Sequence, residues 1–218
     1  MISTTAISHS LDPHIACLDI KTQLDLTKMS TIIFYCSSAY DLDVLATNIN
    51  EHFPDHKCVG CTTAGEFAGN GYETNSMVAL GYHDSHFVIQ STLVENLQSF
   101  TVIDAQNVMN TLKDAIAPKA IAPLERQSFL FSLVDGLASK EEEFLITFDS
   151  CTQGLPHFGG SAGDDLNLNK TYVFYDGKFS SSAVIILLFN KPQKFSVFSV
   201  NHVNDSLSKL VVTDADPN

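Results

Sequence analysis

The sequence is poor in basic residues, and this shortage excludes several kinds of partner. It has 218 residues, with 12 lysines and arginines against 25 aspartates and glutamates, which gives a formal net charge of −13. Arg126 is the single arginine. Proteins that bind nucleic acids, phosphate groups or acidic membrane surfaces neutralise them with clustered lysine and arginine. The composition therefore argues against these three classes of partner.

The sequence also lacks long apolar runs and export signals. Its longest uninterrupted apolar run, Ala183–Phe189, is far shorter than the roughly 20 residues of a membrane-crossing helix. The N-terminus has neither a basic segment nor a long apolar segment, so we expect no signal peptide. The five cysteines are an odd number, and without export signals we expect them to be reduced thiols. These features predict a cytoplasmic protein.

The apolar pattern predicts strands that alternate with helices. Residues 1–26 have weak patterning, and residues 1–29 are predicted to form a leader segment. A capping box is predicted where Ser139 precedes Glu142, at the start of a helix that buries Phe144, Phe148 and Cys151. The predicted strands are residues 31–36, 57–61, 77–82, 87–94, 128–134, 156–158, 171–175, 183–189 and 195–200, and the other predicted helices are residues 41–53 and 104–117.

The two halves of the chain repeat this order of elements, as pseudo-repeats over about residues 31–100 and 128–200. Thr63–Glu66 aligns with Ser161–Asp164 at an offset of 98 residues, and the two opening strands share that offset. An internal duplication explains both observations. We therefore expect an α/β fold of two strand–helix–strand-plus-hairpin halves. Their mixed sheets either pack face to face or join at their edges, with helices on the flanks.

Both aligned segments follow predicted strands, and ligands bind α/β sheets at strand ends. Gly159–Asp165 is rich in glycine, which lets backbone amides approach a ligand, but it matches neither the dinucleotide-binding nor the P-loop spacing. One interpretation is a tight turn. The other is a pocket for a small polar or zwitterionic ligand, in which Glu66 or Asp164 meets an ammonium group and loop amides meet a carboxylate.

Cysteine and histidine give weaker signals. Cys58 and Cys61 follow two histidines, but a single pair on an extended strand directs its thiols to opposite faces, which favours a structural role over metal binding. Cys61 at a strand end is also a candidate nucleophile, which leaves a cysteine-dependent hydrolase as an alternative. The eight histidines are scattered and form no zinc motif. A single axial histidine for haem would have no recognisable spacing.

Three segments resemble the motifs of one known family. Val59–Glu66 is similar to the Val-Gly-Cys-Ser/Thr-Thr-Ala-Gly-Glu motif of the FIST sensory domain. Val134–Glu142 resembles its Asp-Gly-Leu-Ser-x-Lys-Glu-Glu motif, and Phe158–Asp165 resembles its third motif. Lys170–Phe174 resembles the strand that follows. The resemblance implies that residues 30–216 form an N-terminal FIST domain. It also implies that the protein continues into a C-terminal FIST region, with residues 211–218 at the junction.

The resemblance implies a bacterial sensory domain rather than an enzyme. FIST regions are thought to bind small ligands such as amino acids, and they occur beside histidine kinases, cyclic-di-GMP enzymes and chemotaxis receptors. Some members are haem-binding nitric-oxide sensors that regulate a histidine kinase, so haem is a possible cofactor, although no axial ligand can be assigned to a position here. The expected ligand-binding residues are Cys61, Thr62, Thr63, Gly65, Glu66, Asp135, Gly136, Ser139, Gly159, Gly160, Ser161, Gly163, Asp164 and Asp165.

Overall fold

The protein forms four layers in the order helices, sheet, sheet, helices. The computed structural model describes residues 2–69 and 71–198. The strands are β1 Ser3–Ser8, β2 Met29–Ser37, β3 Lys57–Thr63, β4 Glu66–Ala68, β5 Gly71–Glu73, β6 Met77–His83, β7 Val88–Glu95, β8 Ser128–Val134, β9 His157–Ser161, β10 Val173–Tyr175, β11 Lys178–Ser180 and β12 Ala183–Asn190. The helices are α1 Pro13–Gln23, α2 Leu42–His52, α3 Val102–Ile116 and α4 Glu141–Asp149.

The two large sheets have the same internal arrangement. The first has the strand order β1-β6-β2-β3-β10-β11, and the second has the order β7-β12-β8-β9. The pairs β2–β3 and β8–β9 are parallel, and the remaining pairs in both sheets are antiparallel. A helix follows β1 in the first sheet and β7 in the second, and a second helix joins the two strands of each parallel pair. The structural repeat therefore runs from β1 to β6 and from β7 to β12, which places its boundaries earlier than the predicted 31–100 and 128–200.

Apolar side chains fill the three spaces between the layers. Ile33, Val59 and Ile185 belong to the cluster between the two sheets. Helices α1 and α2 pack on the outer face of the first sheet, and α3 and α4 pack on the outer face of the second. The predicted mixed α/β class is confirmed. Of the two arrangements that the sequence left open, face-to-face packing is the one observed.

Residues 1–29 do not form a leader, and this part of the prediction was wrong. Strand β1 pairs with β6 over its whole length. Helix α1 buries Ala16, Cys17 and Ile20. The buried positions of this region are mostly small residues, so their apolar periodicity is weak in the sequence. Both elements nevertheless belong to the first repeat.

Strands β6 and β7, which are joined by a turn at residues 84–86, do not pair with each other. β6 lies between β1 and β2 in the first sheet, whereas β7 pairs with β12 in the second. The turn therefore carries the chain from one sheet to the other. In the second half, β10 and β11 form a short antiparallel hairpin that extends the first sheet beyond β3.

The start of helix α4 differs from the predicted one. The predicted capping box there was wrong, because Ser139 has a left-handed φ of 55° and Lys140 is the N-cap residue, with no capping side chain. A capping box is present instead at α3, between Thr101 and Asp104. A left-handed residue cannot direct its hydroxyl at the first helical amides as an extended N-cap does.

The C-terminal predictions fall partly outside the described residues. Residues 195–198 are not in a strand, and residues 199–200 and the expected junction at 211–218 lie outside the described part of the chain. Within the described ranges, no helix is both long enough and apolar enough to cross a bilayer.

Candidate functional site

The three sequence motifs meet at the carboxyl ends of β3, β8 and β9. The Gly163 amide donates to the carbonyl of Thr62 at 2.9 Å, which joins the third motif to the first. A Cβ on Gly136 would lie 2.3 Å from the carbonyl oxygen of Ala162, so the second motif packs directly against the third. The structure therefore brings the motifs together as a packed junction whose backbones touch.

Glu66 is a buried carboxylate whose two hydrogen-bond donors among the described residues are hydroxyl groups. Its Oε1 accepts from Thr63 Oγ1, and its Oε2 accepts from Ser76 Oγ at 2.5 Å. Thr63 Oγ1 also lies 3.2 Å from the carbonyl of Cys36. These bonds tie the end of β3 to β4 and to the start of β6. Both carboxylate oxygens are engaged, so Glu66 is not free to meet a ligand ammonium in this arrangement.

Asp135 is a second buried carboxylate, and it joins three segments. Its Oδ1 accepts from Thr171 Oγ1 and from the Leu137 amide at 3.1 Å. Its Oδ2 accepts from the Ser182 amide. The Leu137 amide also lies 3.1 Å from Thr171 Oγ1. Asp135 therefore holds the end of β8 to the segments that precede β10 and β12.

Asp164 organises the loop between β9 and β10. Its carboxylate accepts from the backbone amides of Leu168, Asn169 and Lys170 at 2.6–3.1 Å. These bonds favour the ionised form, and they lower the pKa of Asp164, with the Asn169 amide as the largest contribution. The next residue, Asp165, has a left-handed φ of 54°. Its Oδ2 accepts from Ser37 Oγ and from both the amide and the hydroxyl of Ser38.

An open cleft of about 520 Å³ lies beside this junction, and we call it the carboxyl-end cleft. It is bounded by the segments that follow β2 and β3, by the end of the β4–β5 hairpin and by the β9–β10 loop. Its lining residues are Ser38, Ala39, Ala64, Tyr72, Thr74, Asn75, Asp165, Leu166 and Asn167. Asp165 is the one member of the predicted site set that lines this cleft.

Gly65 explains how the wall of the carboxyl-end cleft is formed. It has a φ of +136°, and a Cβ there would lie 2.1 Å from the hydroxyl oxygen of Tyr72. That hydroxyl donates to the carbonyl of Ala64 at 2.6 Å. Glycine is required at this position because any side chain would displace Tyr72 and adopt an unfavourable backbone conformation.

A second open cleft, of about 390 Å³, lies at the start of α4, and we call it the α4 cleft. Gly136 and Ser139 of the predicted set line it, and Glu141, Glu142 and Glu143 make it strongly acidic. Three carboxylates in the first turn interact favourably with the helix dipole. The helix dipole is therefore enough to explain why three glutamates occur here, without a bound ligand.

Gly159, Gly160 and Ser161 belong to β9 and do not form a loop, contrary to the turn and pocket interpretations. All three residues are exposed on the outer strand of the second sheet. A Cβ on Gly159 would lie 2.1 Å from the carbonyl oxygen of Ser132, which accounts for glycine there by the close approach of β8. Ser161 Oγ donates to Glu141.

The stretch of sequence that contains the three motifs matches a known family. The family model described as FIST N domain matches residues 30–218. The chain belongs to the FIST N domain family. FIST domains are sensory domains of signal transduction. The search of curated proteins gave no match.

Cys58 and Cys61, the two cysteines of β3, are buried. Cys61 faces the space between the two sheets, whereas Cys58 faces the helices, as the odd spacing predicted. Burial raises the pKa of both thiols to about 12, and Glu66 adds to the effect at Cys61. A nucleophilic cysteine requires an accessible thiolate. The geometry therefore does not support the hydrolase alternative. Thr62 is also fully buried, and its amide donates to the carbonyl of Tyr172 at 2.9 Å.

Among the described residues, no histidine lines either the carboxyl-end cleft or the α4 cleft. His56 lines a separate cavity of about 420 Å³. Its Nε2 lies 3.1 Å from the carbonyl of Leu26, and its Nδ1 has no hydrogen-bond partner among the described residues and no exposed surface through which a cofactor could reach it. An axial haem ligand needs a nitrogen lone pair that reaches the cofactor. The residues around these three cavities therefore do not fit a haem.

Most of the residues that line the carboxyl-end cleft were missed in the sequence. Ser38 follows β2, whose carboxyl end adjoins that of β3 in a parallel pair, so the strand-end rule already points to it. Thr74 and Asn75 come from the polar stretch after the first motif, which has no distinguishing pattern. Their position depends on the β4–β5 hairpin, which the apolar periodicity does not reveal.

Proposed function

We propose that this FIST domain senses a small polar ligand that carries an ammonium group, bound in the carboxyl-end cleft. The observation that carries the proposal is the carboxylate of Asp165. Its Oδ2 is held by Ser37 and Ser38, whereas its Oδ1 accepts no hydrogen bond from the described residues. A carboxylate oxygen fixed at the wall of a cleft can accept from an ammonium group with charge-assisted strength.

The other lining residues suit the remaining polar parts of such a ligand. Ser38, Thr74, Asn75 and Asn167 supply hydroxyl and amide groups, and no lysine or arginine of the described residues lines the cleft. The formal charge of −13 also favours the approach of a cation. A volume of about 520 Å³ lies within the range of small-molecule sites. An amino acid or a related amine fits this description.

Backbone strain around the cleft supports a response to binding. Asn75, Asp165, Leu166 and Leu168 all have left-handed φ values between 52° and 65°. Such a conformation costs of order 1–3 kcal/mol for a residue such as leucine and is concentrated at binding and switch segments. A ligand changes the balance between two conformations of such a loop by its difference in affinity for them. We propose that this change is the signal that the domain transmits.

Thermal-shift and calorimetric titration with the twenty amino acids tests the ligand class. Carboxylic acids of the same size without the amino group serve as ligand controls. Stabilisation by amines alone supports the proposal. In Asp165→Asn, the amide oxygen can keep the bonds to Ser37 and Ser38 while the charge is removed. This variant should fold normally and lose binding, whereas Asp55→Asn, on the exposed surface, should keep it. Equal binding by both variants would refute the role of Asp165.

The resemblance suggests a histidine kinase or a cyclic-di-GMP enzyme as the downstream partner, and we propose one of these as the recipient of the signal. A haem-bound nitric-oxide sensor, which the residues around the cavities do not fit, would be detected by one spectrum. A Soret band after purification with haem, which shifts when nitric oxide is added, would replace the amine proposal. A featureless spectrum together with amine stabilisation would support the amine proposal.

A further inference from the structure

Strand β9 has a free hydrogen-bonding edge. The carbonyl of Pro156 accepts from the Leu130 amide at 2.8 Å, and the Ala162 amide donates to Val134 at 2.7 Å. Even-numbered residues of this segment therefore bond to β8, because backbone groups alternate in direction along a strand. The amides and carbonyls of His157, Gly159 and Ser161 face away from β8. Within the described part of the chain no strand pairs with this edge.

The corresponding edge of the first sheet is covered. β3 occupies the same place beside β2 as β9 does beside β8. β10 pairs antiparallel with β3 there, with Val173 opposite Cys61 and Tyr175 opposite Val59. The Thr62 amide completes this pairing by donating to the carbonyl of Tyr172 at 2.9 Å. The internal repeat thus shows how an edge of this kind is completed in the same molecule.

β9 carries few of the features that protect a sheet edge from other strands. Natural edges are usually blocked by lysine, proline, a bulge or a covering element. β9 contains Gly159 and Gly160, whose backbones are exposed, and Phe158, which is 44% exposed. Its five residues pair with β8 in continuous register, without a bulge. An incoming strand would therefore find its backbone partners accessible.

The charge of the residues near β9 indicates which kind of incoming strand would pair with its edge. Glu141, which bonds Ser161, lies at the carboxyl end of β9, and Glu142 and Glu143 continue this acidic rim along the α4 cleft. Lys140 pairs with Glu143 at 2.7 Å, so the three glutamates and this lysine together carry a formal charge of −3 + 1 = −2. An antiparallel strand places its amino-terminal end at this rim. A second copy of the chain would bring a second formal charge of −13 to the edge, whereas lysine or arginine before the incoming strand would complement the rim.

We propose that the edge of β9 docks an antiparallel strand of a partner protein, with basic residues immediately before that strand. The backbone of the partner would pair with His157, Gly159 and Ser161, and its basic residues would lie beside Glu141, Glu142 and Glu143. This mode of recognition takes affinity from main-chain bonds and specificity from the flanking groups. The proposal does not depend on the ligand assigned to the carboxyl-end cleft.

Two fluorescein-labelled peptides test the edge and its direction by anisotropy. The peptide KKTYVFY takes its strand from residues 170–175, which cover β3, and carries one additional amino-terminal lysine. The control TYVFYKK has the same composition with both lysines at the other end. We expect KKTYVFY to bind with a Kd below about 1 mM and TYVFYKK to bind at least about threefold more weakly, since its lysines lie away from the rim. Equal affinities, or no saturable binding, would overturn the proposal.

Ser161→Pro and Ser161→Ala form a matched pair of variants. The Ser161 amide faces the free edge, so proline removes a donor to the partner without breaking the ladder to β8. We expect Ser161→Pro to weaken KKTYVFY binding by at least about tenfold. Ser161→Ala, which loses only the bond to Glu141, should stay within about threefold of the wild type. Equal effects of the two variants would contradict edge pairing.

Charge variants keep the proposal testable if Ser161→Pro fails to fold. The double change Glu142→Gln and Glu143→Gln should weaken KKTYVFY and leave TYVFYKK unchanged, with Glu51→Gln on α2 as the control. Two measurements on the protein without peptide test whether another strand already pairs with β9. Light scattering detects a dimer, and hydrogen exchange detects protected amides on the β9 edge. A dimer that excludes the peptide, or protection of the Gly159 and Ser161 amides before peptide is added, would show that another strand already holds this edge and would overturn the proposal.

Discussion

Replacing Asp135 by asparagine should destabilise the protein more than replacing Glu66 by glutamine, although both changes turn a buried carboxylate into an amide. Two of the donors to Asp135 are the backbone amides of Leu137 and Ser182, which cannot reverse direction. Either orientation of an asparagine amide directs its NH₂ group at one of them. In the orientation that faces Leu137, the Leu137 amide can still donate to Thr171 Oγ1, but the Thr171 hydroxyl then loses its acceptor on residue 135. A buried donor left without an acceptor costs of order 1–3 kcal/mol. We therefore expect Asp135→Asn to cost about 2 kcal/mol.

The two donors to Glu66 are hydroxyl groups, which can rotate. In Glu66→Gln the Thr63 hydroxyl can donate to the carbonyl of Cys36, 3.2 Å away, and accept from the new amide. Ser76 can continue to donate to the remaining oxygen. Every polar group keeps a partner, so the free energy of unfolding should change by no more than about 0.5 kcal/mol.

Urea and thermal unfolding followed by circular dichroism measures the difference. About 2 kcal/mol corresponds to a Tm lowered by about 4–8 °C in a domain of this size. Asp55→Asn on the exposed surface is the control for the loss of one carboxylate. Equal costs at Asp135 and Glu66, or a larger cost at Glu66, would refute the reasoning from fixed and rotatable donors.

Two thiols, one glycine and one aspartate allow further tests. Because burial raises the pKa of Cys58 and Cys61 to about 12, iodoacetamide at pH 8 should leave both unmodified in the native protein, and labelling found by peptide mass mapping would contradict this. Gly60→Ala should cost about 1–3 kcal/mol in urea unfolding, since its Cβ would lie 2.4 Å from the carbonyl oxygen of Phe34, and a neutral result would show that the β2–β3 contact is looser. Backbone amides lower the pKa of Asp164, so its contribution to stability is present above about pH 4 and is lost as the pH falls through the lower folded value. Asp164→Asn should therefore reduce the loss of stability on acidification, and an unchanged acid limb would contradict the assignment.

The core elements could be predicted because their apolar residues are regularly spaced. Helix α2 buries Leu45 and Ile49 on one face, and the helix predicted over residues 41–53 is confirmed. Periodicity reports which face of an element is buried, but it does not report the neighbouring strand. For that reason the transfer of the chain from β6 to β7, between the two sheets, was not visible in the sequence. The small buried residues of α1 concealed that helix for a related reason.

The candidate site was predictable as a region but not in the role of each residue. Glycine and acidic residues after strands identified the junction of the FIST motifs. Whether an acid faces solvent or bonds inward depends on donors that are distant in the sequence, such as Ser76 for Glu66 and Thr171 for Asp135. Asp165, which lines the carboxyl-end cleft, is adjacent in sequence to Asp164, which does not. Nothing in the local sequence distinguishes the roles of these two aspartates.

The hairpin of β10 and β11 belongs to the second repeat in chain order, yet it completes the first sheet. Residues 162–172, which connect β9 to β10, therefore cross from one sheet to the other, and they include Asp165. A ligand bound by this connecting segment would act on both halves of the domain simultaneously. The orientation of one half relative to the other would then report ligand binding to any protein that contacts both halves.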